Sequence, residues 1–322
     1  MEYRHLGKSG LVVSAVGLGT NYFGRRTDVR ESASILDRGF ELGINLIDTA
    51  NVYGQGLSEE ILGNVLKGRR QKAIVATKFG RVTGQGPNER GGSRLHIMQQ
   101  VEASLRRLQT DYVDLYQLHV YDADTPMAET LRALDDLVRQ GKVRYIGCSG
   151  IAAWQVCDAA WTARTLNTDS FISVEGYYNL LRREAERDLL PFCRSHGLGF
   201  LPYFPLESGF LAGRFRRGEA PPADTALAQY QPPAMRASVL TERNFAILER
   251  LELFCRARGR ALHELAIAWL LANEAVSSVI AGATRTAQLE ANVAALDWKL
   301  SAGEKEEIDA ITNDNPWLTQ PR

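Results

Sequence analysis

The sequence predicts an α/β fold, a single-domain (β/α)8 TIM barrel that spans residues 1–322. Short apolar runs recur, most of them about 30 residues apart, and amphipathic helical patterns lie between them, which is the order and length of a βα unit. The runs are apolar on both faces, as parallel strands covered on both sides must be. The chain of 322 residues suits eight such units, since barrels typically need about 250 residues before insertions.

Eight runs are predicted to be the barrel strands: VSAVGLG (13–19), INLID (44–48), AIVATK (73–78), VDLYQLH (113–119), VRYIGCS (143–149), FISVEGYY (171–178), GFLPYFP (199–205) and SSVIAG (277–282). Residues 31–42 and 126–140 place their apolar side chains on one helical face. Ser93 is predicted to cap the helix that begins near Leu95, and Ser58 the helix that carries Ile61. A doubly wound open sheet is the alternative, but no G-x-G-x-x-G turn follows the first strand.

Two segments depart from the repeat. The N-terminal run EYRHLGKSGLVV (2–13) reads as a β-hairpin that closes the bottom of the barrel. A long connection after the seventh barrel strand contains a Gly/Pro/Ala-rich loop, 213–236, and helical patterns at 241–258 and 261–273. Long irregular loops in compact domains are usually lids or binding loops. Residues 313–322 are predicted to form a C-terminal tail, whose Trp317 folds over the rim or stays disordered.

The composition excludes several classes of partner. The 38 basic and 38 acidic residues balance, which argues against nucleic acids and membrane surfaces as partners. No apolar run is long enough for a signal peptide or a membrane span. The four cysteines are scattered and only five histidines are present, so we expect buried reduced thiols, no metal site and a cytoplasmic location. The oligomeric state cannot be read from the sequence.

Polar side chains at consecutive strand ends point to catalysis. The second strand ends at Asp48 and its loop carries Tyr53, the third ends at Lys78, and the fourth ends at His119. Each residue alone is more often structural than catalytic. The ends of barrel strands meet on one rim, however, and the four together form an acid–base group in the usual position of an active site.

The chemistry of this group is specific. A tyrosine normally has a pKa of about 10, and a nearby ammonium lowers it. Lys78 is predicted to do this for Tyr53 while Asp48 holds Lys78, so that Tyr53 acts as a general acid or base. His119 is expected to donate a hydrogen bond to a carbonyl oxygen. A site that protonates an oxygen, with no metal and no evident nucleophile, suits hydride delivery to a carbonyl, and the hydride needs a cofactor.

Six segments of the chain resemble the aldo-keto reductases: GINLIDTANVYGQGLSEEILG (43–63), VATK (75–78), DYVDLYQLH (111–119), GKVRYIGCSG (141–150), LPYFPLESGFLAGR (201–214) and VIAGATRTAQLEANVAAL (279–296). The resemblance covers essentially the whole chain. It implies that Tyr53 is the proton donor, that Lys78 and Asp48 support it, and that His119 orients the substrate.

The resemblance also implies a nicotinamide cofactor, with NADP(H) preferred and NAD(H) as the alternative. Arg285 precedes a predicted helix and is placed to meet a 2′-phosphate, and helix N-termini favour phosphates. Tyr203 falls where an aromatic ring stacks on the nicotinamide. The cofactor-binding positions implied in this way are Gly19, Thr20, Asn21, Asp48, Ser149, Glu175, Tyr203, Pro205, Leu206, Ser208, Gly209, Leu211, Arg214, Gly282, Thr284, Arg285, Gln288 and Asn292.

Two positions differ from the pattern common in these enzymes. Gly150 stands where Asn is common and Glu175 where Gln is common, and both positions usually contact the nicotinamide carboxamide. An ionised glutamate accepts hydrogen bonds but cannot donate one to the carboxamide oxygen. The carboxamide is therefore expected to be held differently here.

Three functions follow as hypotheses. The first is an NADP-dependent oxidoreductase acting on an aldehyde, ketone or sugar, with a small-molecule carbonyl or alcohol as its partner. The second is a cofactor-binding regulatory subunit with little turnover, because the same fold serves potassium channels in that role. The third is a lyase or isomerase that uses Lys78 as a Schiff base. Tyr22, Phe23 and Tyr121 are predicted to line an aromatic substrate pocket, although all three residues are also typical of ordinary packing.

Overall fold

The N-terminal hairpin covers one end of a barrel. A computed structural model describes residues 1–312 and shows strands β1 (Tyr3–His5) and β2 (Val12–Ser14) paired antiparallel. Gly7, at the hairpin turn, has a φ of +60° and lies so close to the backbone of Gly197 that a Cβ would be 2.4 Å from its carbonyl oxygen. The hairpin therefore seals the barrel bottom, as predicted.

Eight parallel strands form the barrel, and each falls within or overlaps a predicted run: β3 (Val16–Gly19), β4 (Leu46–Asp48), β5 (Ile74–Phe79), β6 (Val113–Leu118), β7 (Val143–Ser149), β8 (Ser173–Tyr177), β9 (Gly199–Tyr203) and β10 (Val279–Gly282). The hydrogen-bonded order is β10-β3-β4-β5-β6-β7-β8-β9. Phe200 in β9 donates to the carbonyl of Ala275 and accepts from the amide of Ser277, just before β10. These bonds bring the two edges together and confirm the predicted barrel.

Helices surround the sheet: α1 (Val29–Glu41), α2 (Leu57–Val65), α3 (Arg94–Leu108), α4 (Met127–Arg139), α5 (Ala153–Leu166), α6 (Leu189–His196), α7 (Ala226–Tyr230), α8 (Pro233–Val239), α9 (Glu242–Arg256), α10 (Leu262–Leu271), α11 (Thr286–Ala294) and α12 (Ala302–Thr312). Ser93 caps α3, since its Oγ accepts from the amide of His96. The capping role predicted for Ser58 is wrong, because Gly56 precedes α2 and Ser58 lies within its first turn. The Ser58 hydroxyl instead bonds Thr20 and Thr49 in the core.

The connection after β9 is less irregular than expected. The predicted loop 213–236 contains α7 and the first part of α8, and α9 and α10 match the two helical patterns that follow it. Arg26, after β3, donates to the carbonyl of Asp224, while Gln231 donates to Ser208. The connection is thus fastened across the top of the barrel. Residues 313–322, with Trp317, lie outside the described residues.

Inside the barrel, side chains alternate along each strand with a period of two. A lower apolar layer packs against Leu6 and Val13 of the hairpin and contains Leu46, Ala76, Leu115, Leu201 and Ile280. Two residues further along their strands, the inward positions are Asp48, Lys78, Gln117, Tyr203 and Gly282. The polar layer therefore sits directly above the apolar layer, at the carboxyl ends of the strands.

The cysteines differ from the prediction at one position. All four are free, and Cys148, Cys193 and Cys255 are buried, but Cys157 is exposed on α5. The same helix also carries the exposed Trp154 and Trp161, so burial was wrongly predicted there. None of the helices within residues 1–312 is both long and apolar enough to cross a membrane.

Candidate active site

The four residues predicted at the strand ends come together in the polar layer. Asp48 ends β4, Lys78 lies in β5, and His119 directly follows β6. Tyr53 begins a short 3-10 turn, Tyr53–Gly56, in which Gly54 and Gly56 have positive φ angles of 58° and 98°. Glycine adopts this conformation without strain, so the tight turn returns Tyr53 over the barrel mouth.

Lys78 connects the members of the group. Its Nζ lies 2.6 Å from each carboxylate oxygen of Asp48 and 3.0 Å from the carbonyl oxygen of Thr49. The same nitrogen lies 3.3 Å from the Oη of Tyr53. The rings of Tyr53 and His119 meet edge to face, with centroids 5.9 Å apart. Lys78 is fully buried, so its charge acts on these neighbours with little screening by water.

A second carboxylate belongs to the group, which the strand-end pattern did not indicate. Glu175 Oε2 lies 3.3 Å from Lys78 Nζ. Gln117 donates to Asp48 Oδ1 at 3.4 Å and to Glu175 Oε2 at 3.3 Å. Lys78 is thus flanked by two buried carboxylates that share one amide donor. Gln117 lies two residues before His119, so the alternation of inward residues in DLYQLH was the signal that could have identified it.

The two carboxylates determine how the group titrates. The pKa of Asp48 is raised to about 7, because burial and the negative charge of Glu175 outweigh the opposing positive charge of Lys78. Burial disfavours the charged form of Lys78, but Asp48 and Glu175 outweigh it and hold the pKa of that ammonium well above its usual value. The lysine therefore stays protonated at neutral pH.

The sequence predicted a lowered pKa for Tyr53, whereas in the structure this pKa is raised. Lys78 does act to lower it, as predicted, but burial comes first and the negative charges of Asp48 and Glu175 add to it. Together they raise the pKa of Tyr53 well above its usual value. Tyr53 is consequently a firmly protonated phenol, the form that a proton donor requires.

His119 is a neutral imidazole at physiological pH. Burial, with a further contribution from the positive charges of Lys78 and Arg81, lowers its pKa to about 2. Its Nδ1 is buried without a partner among the described residues. This leaves Nε2 as the ring nitrogen available to the cavity that His119 lines. A neutral ring can donate a hydrogen bond through Nε2–H without carrying charge.

A cavity of about 1010 Å³ lies above the group. It is lined by Tyr53, His119 and every predicted cofactor position except Leu211. Leu211 is fully buried in the hydrophobic core, so the structure does not bring it to the cavity. Its segment, Glu207–Ala212, forms a 3-10 turn that directs Phe210 and Leu211 inward.

Several of the residues that line the cavity are basic. Arg25, Arg26, Arg214 and Arg285 line it, with Asp224 as the nearby carboxylate that pairs with Arg214 at 2.7 Å. Asn292 also lines this cavity, and its Nδ2 is buried without a partner in the described residues. An orphaned buried donor beside several arginines fits a ligand that carries phosphates and a hydrogen-bonding base. The residues present therefore fit a dinucleotide.

The three aromatic residues predicted to line a substrate pocket lie in three different surroundings. Tyr22 lines the main cavity. Phe23 is fully buried in the hydrophobic core, so the structure does not support a pocket role for it. Tyr121 lines a second cleft instead, and its ring meets Trp154 edge to face at 5.9 Å.

The second cleft, about 810 Å³, joins the main cavity beside Tyr53 and His119. Both are lined by Val52, Arg81 and Val120. Val52 precedes Tyr53 and Val120 follows His119, so the shared wall is built by the neighbours of those two residues. Arg81 was not identified from the sequence, although it lies only three residues after Lys78. Within the described residues, no group of His, Cys, Asp or Glu is arranged to hold a metal ion.

Several known proteins are similar in sequence to this chain over most of its length. A protein of Arabidopsis thaliana that is described as a probable voltage-gated potassium channel subunit beta is 39% identical over 92% of each chain. A protein of the same description from Oryza sativa is 37% identical over 99% of each chain. An uncharacterised oxidoreductase of Bacillus subtilis, YrpG, is 36% identical over 98% of this chain and 95% of its own.

A family profile also matches nearly the whole chain. The profile described as the aldo/keto reductase family matches residues 15–313. That range begins just before β3 and includes all eight barrel strands together with Asp48, Tyr53, Lys78 and His119. With the barrel and its polar rim in place, the match leaves one conclusion: the chain belongs to the aldo/keto reductase family.

Proposed function

We propose that the protein is an NADP-dependent oxidoreductase that transfers a hydride between nicotinamide and a carbonyl or alcohol, with Tyr53 as general acid and base. The observation that carries the proposal is the contact of 3.3 Å between Tyr53 Oη and Lys78 Nζ, since Tyr53 lines the same cavity as His119. A phenol beside a permanent ammonium is suited to giving up a proton as charge develops on a bound oxygen.

In the reductive direction, the carbonyl oxygen lies between Tyr53 Oη and His119 Nε2. His119 donates a hydrogen bond that polarises the carbonyl, and Tyr53 donates the proton that completes the hydroxyl group. A reduced nicotinamide held beside Tyr203 would supply the hydride for the carbonyl carbon. Lys78 stabilises the phenolate left on Tyr53, because its ammonium is held in place by Asp48 and Glu175. Tyr53 regains its proton from solvent, and alcohol oxidation reverses each transfer.

The cavity supplies the groups that would hold the cofactor. Tyr203 stacks on Tyr177 at 5.4 Å and presents a ring near Glu175, which suits a nicotinamide. Arg214, Arg285 and Asn292 would hold the phosphates and the adenosine. Arg285 favours NADP(H) because a 2′-phosphate adds negative charge next to its guanidinium, while NAD(H) remains the alternative.

A regulatory subunit with little turnover is the second candidate, supported by the similarity to two proteins described as potassium channel beta subunits. A lyase that uses Lys78 as a Schiff base is not supported. That mechanism needs a neutral, accessible amine, whereas Lys78 is fully buried and paired with two carboxylates that raise its pKa.

Oxidation of NADPH by wild type and Tyr53→Phe tests the proposal across a panel of aldehydes, ketones and keto-sugars. We expect turnover in the wild type and a loss of about 100-fold or more in the variant, with the Kd for NADPH unchanged. Tyr145→Phe is the control, because Tyr145 packs near the lower apolar layer, away from the cavity. Full activity of Tyr53→Phe would refute the assignment, and tight NADPH binding without turnover on any substrate would favour the regulatory subunit.

A further inference from the structure

We propose that the cleft beside the catalytic group is an anion-binding subsite, so that the preferred substrate is a carbonyl compound carrying a carboxylate or phosphate that Arg81 binds. This inference rests on the proposed function, since it concerns the part of the same substrate that lies away from the reacting carbonyl. The cleft and the main cavity share only Val52, Arg81 and Val120 among their lining residues in the described part of the chain.

The position of the shared wall sets the path of a substrate. A carbonyl held at Tyr53 and His119 leaves the rest of its molecule between Val52 and Val120, which flank those two residues in sequence. The molecule then extends into the second cleft and passes Arg81, the charged member of the shared wall. The cleft of about 810 Å³ is large enough for a substituted aromatic ring or a short phosphorylated chain.

Arg81 is available to a ligand. Its side chain is exposed, and no residue among 1–312 forms a hydrogen bond or ion pair with it. Its charge nevertheless reaches the catalytic group, because it contributes to the lowered pKa of His119. A guanidinium presents a planar fork of donors that matches a carboxylate or a phosphate.

Besides Arg81, the charged residues that line the cleft in the described part of the chain are Arg90, Asp122 and Asp124. Asp122 accepts from the amide of Gly92 at 2.7 Å and from Thr125 Oγ1 at 2.7 Å, and these bonds help to lower its pKa. The charge of Arg90 also contributes to that lowering. The charge of Arg90 therefore acts on a carboxylate of the cleft, whereas the charge of Arg81 acts on His119 and Tyr203. This contrast makes Arg90 the matched control for Arg81.

The test compares kcat/KM for paired aldehydes in the wild type, Arg81→Met and Arg90→Met. One pair is 4-carboxybenzaldehyde and methyl 4-formylbenzoate, which differ mainly in charge. The other is glyceraldehyde 3-phosphate and glyceraldehyde. We expect the wild type to prefer the anionic member of at least one pair by about tenfold or more, since a charge-assisted bidentate bond stabilises it. Which pair responds identifies the carboxylate or the phosphate as the recognised group.

Arg81→Met should remove that preference by raising KM for the anionic member of the pair more than for the neutral member, and Arg90→Met should keep the preference. Arg81→Lys should restore part of the preference, because it keeps the charge but loses the fork. An equal loss for both members of each pair, or a wild type without any anionic preference, would overturn the proposal.

A binding measurement separates this inference from the proposed function. Calorimetric titration of 4-(hydroxymethyl)benzoate and inorganic phosphate into the NADP+-loaded protein needs no turnover. If no aldehyde is reduced but one of these anions binds and Arg81→Met abolishes its binding, the reductase assignment fails and the subsite stands. If neutral aldehydes are turned over but neither anion binds in an Arg81-dependent way, the subsite fails and the reductase assignment stands.

Discussion

Replacing Glu175 by Gln removes one of the two carboxylates that flank Lys78. Both reach the same nitrogen, at 2.6 Å from Asp48 and 3.3 Å from Glu175, so their contacting oxygens are no more than about 6 Å apart. At an effective dielectric constant of about 20, two like charges at that distance repel by about 3 kcal/mol, or about two pKa units. Glu175→Gln should therefore lower the pKa of Asp48 from about 7 to about 5, back towards its usual value of 3.8.

The pH dependence of kcat/KM for aldehyde reduction reports this change, because it follows the essential groups of the free enzyme. As the pH falls through the pKa of Asp48, the carboxylate takes up a proton and no longer holds Lys78 by charge. Wild-type activity should decline below about pH 7, whereas Glu175→Gln should stay active to about pH 5. The alkaline side is not expected to limit either enzyme near neutrality, since the pKa of Tyr53 is raised.

Glu59→Gln is the matched control. Glu59 is also fully buried, but it pairs with Arg107 and accepts from Thr77 at 2.5 Å, and it does not line the cavity. Its replacement should leave the acidic limb where it is in the wild type. A midpoint that moves by less than about 0.3 units in Glu175→Gln would show that the two carboxylates do not interact, and the electrostatic account of the group would then be wrong.

Two further perturbations test the cofactor site and the fold. Arg285→Ala should weaken NADPH at least about tenfold while changing NADH less than about twofold, as measured by fluorescence titration, and an equal loss for both cofactors would contradict the phosphate role. Gly63→Ala should destabilise the protein by about 2–4 kcal/mol, because its Cβ would lie 2.3 Å from the carbonyl oxygen of Arg107 and 2.8 Å from the carbonyl carbon of Leu108. Gly303→Ala is the control, because Gly303 lies on α12 with open space around it, and this substitution should stabilise the protein by about 0.5–1 kcal/mol. The free energy of unfolding of both variants, measured with urea, decides whether the close contact or helix propensity governs position 63.

The sequence was sufficient for the parts of the protein that depend on local patterns. The apolar runs located all eight barrel strands, and their ends located the four polar residues that the structure brings together. Ser58 was misassigned because a hydroxyl near a helix start looks the same whether it caps the helix or bonds Thr20 and Thr49 across the core. Phe23 was misassigned for a similar reason, since an aromatic residue in a loop can face a cavity or the core, and tertiary packing decides between them.

The pKa of Tyr53 depends on a property that no local pattern contains, namely the extent to which water is excluded around the polar layer. The hairpin residues Leu6 and Val13 are fully buried against the lower apolar layer, so water cannot approach the group from below. Charges in such surroundings interact more strongly, and burial disfavours every ionised form. Lys78 was thus correctly identified as a partner of Tyr53, but its effect on the pKa was overestimated because burial and a second carboxylate oppose it. The hairpin lies at the opposite end of the barrel from Tyr53, yet it contributes to the electrostatic surroundings of the candidate active site by excluding water from below.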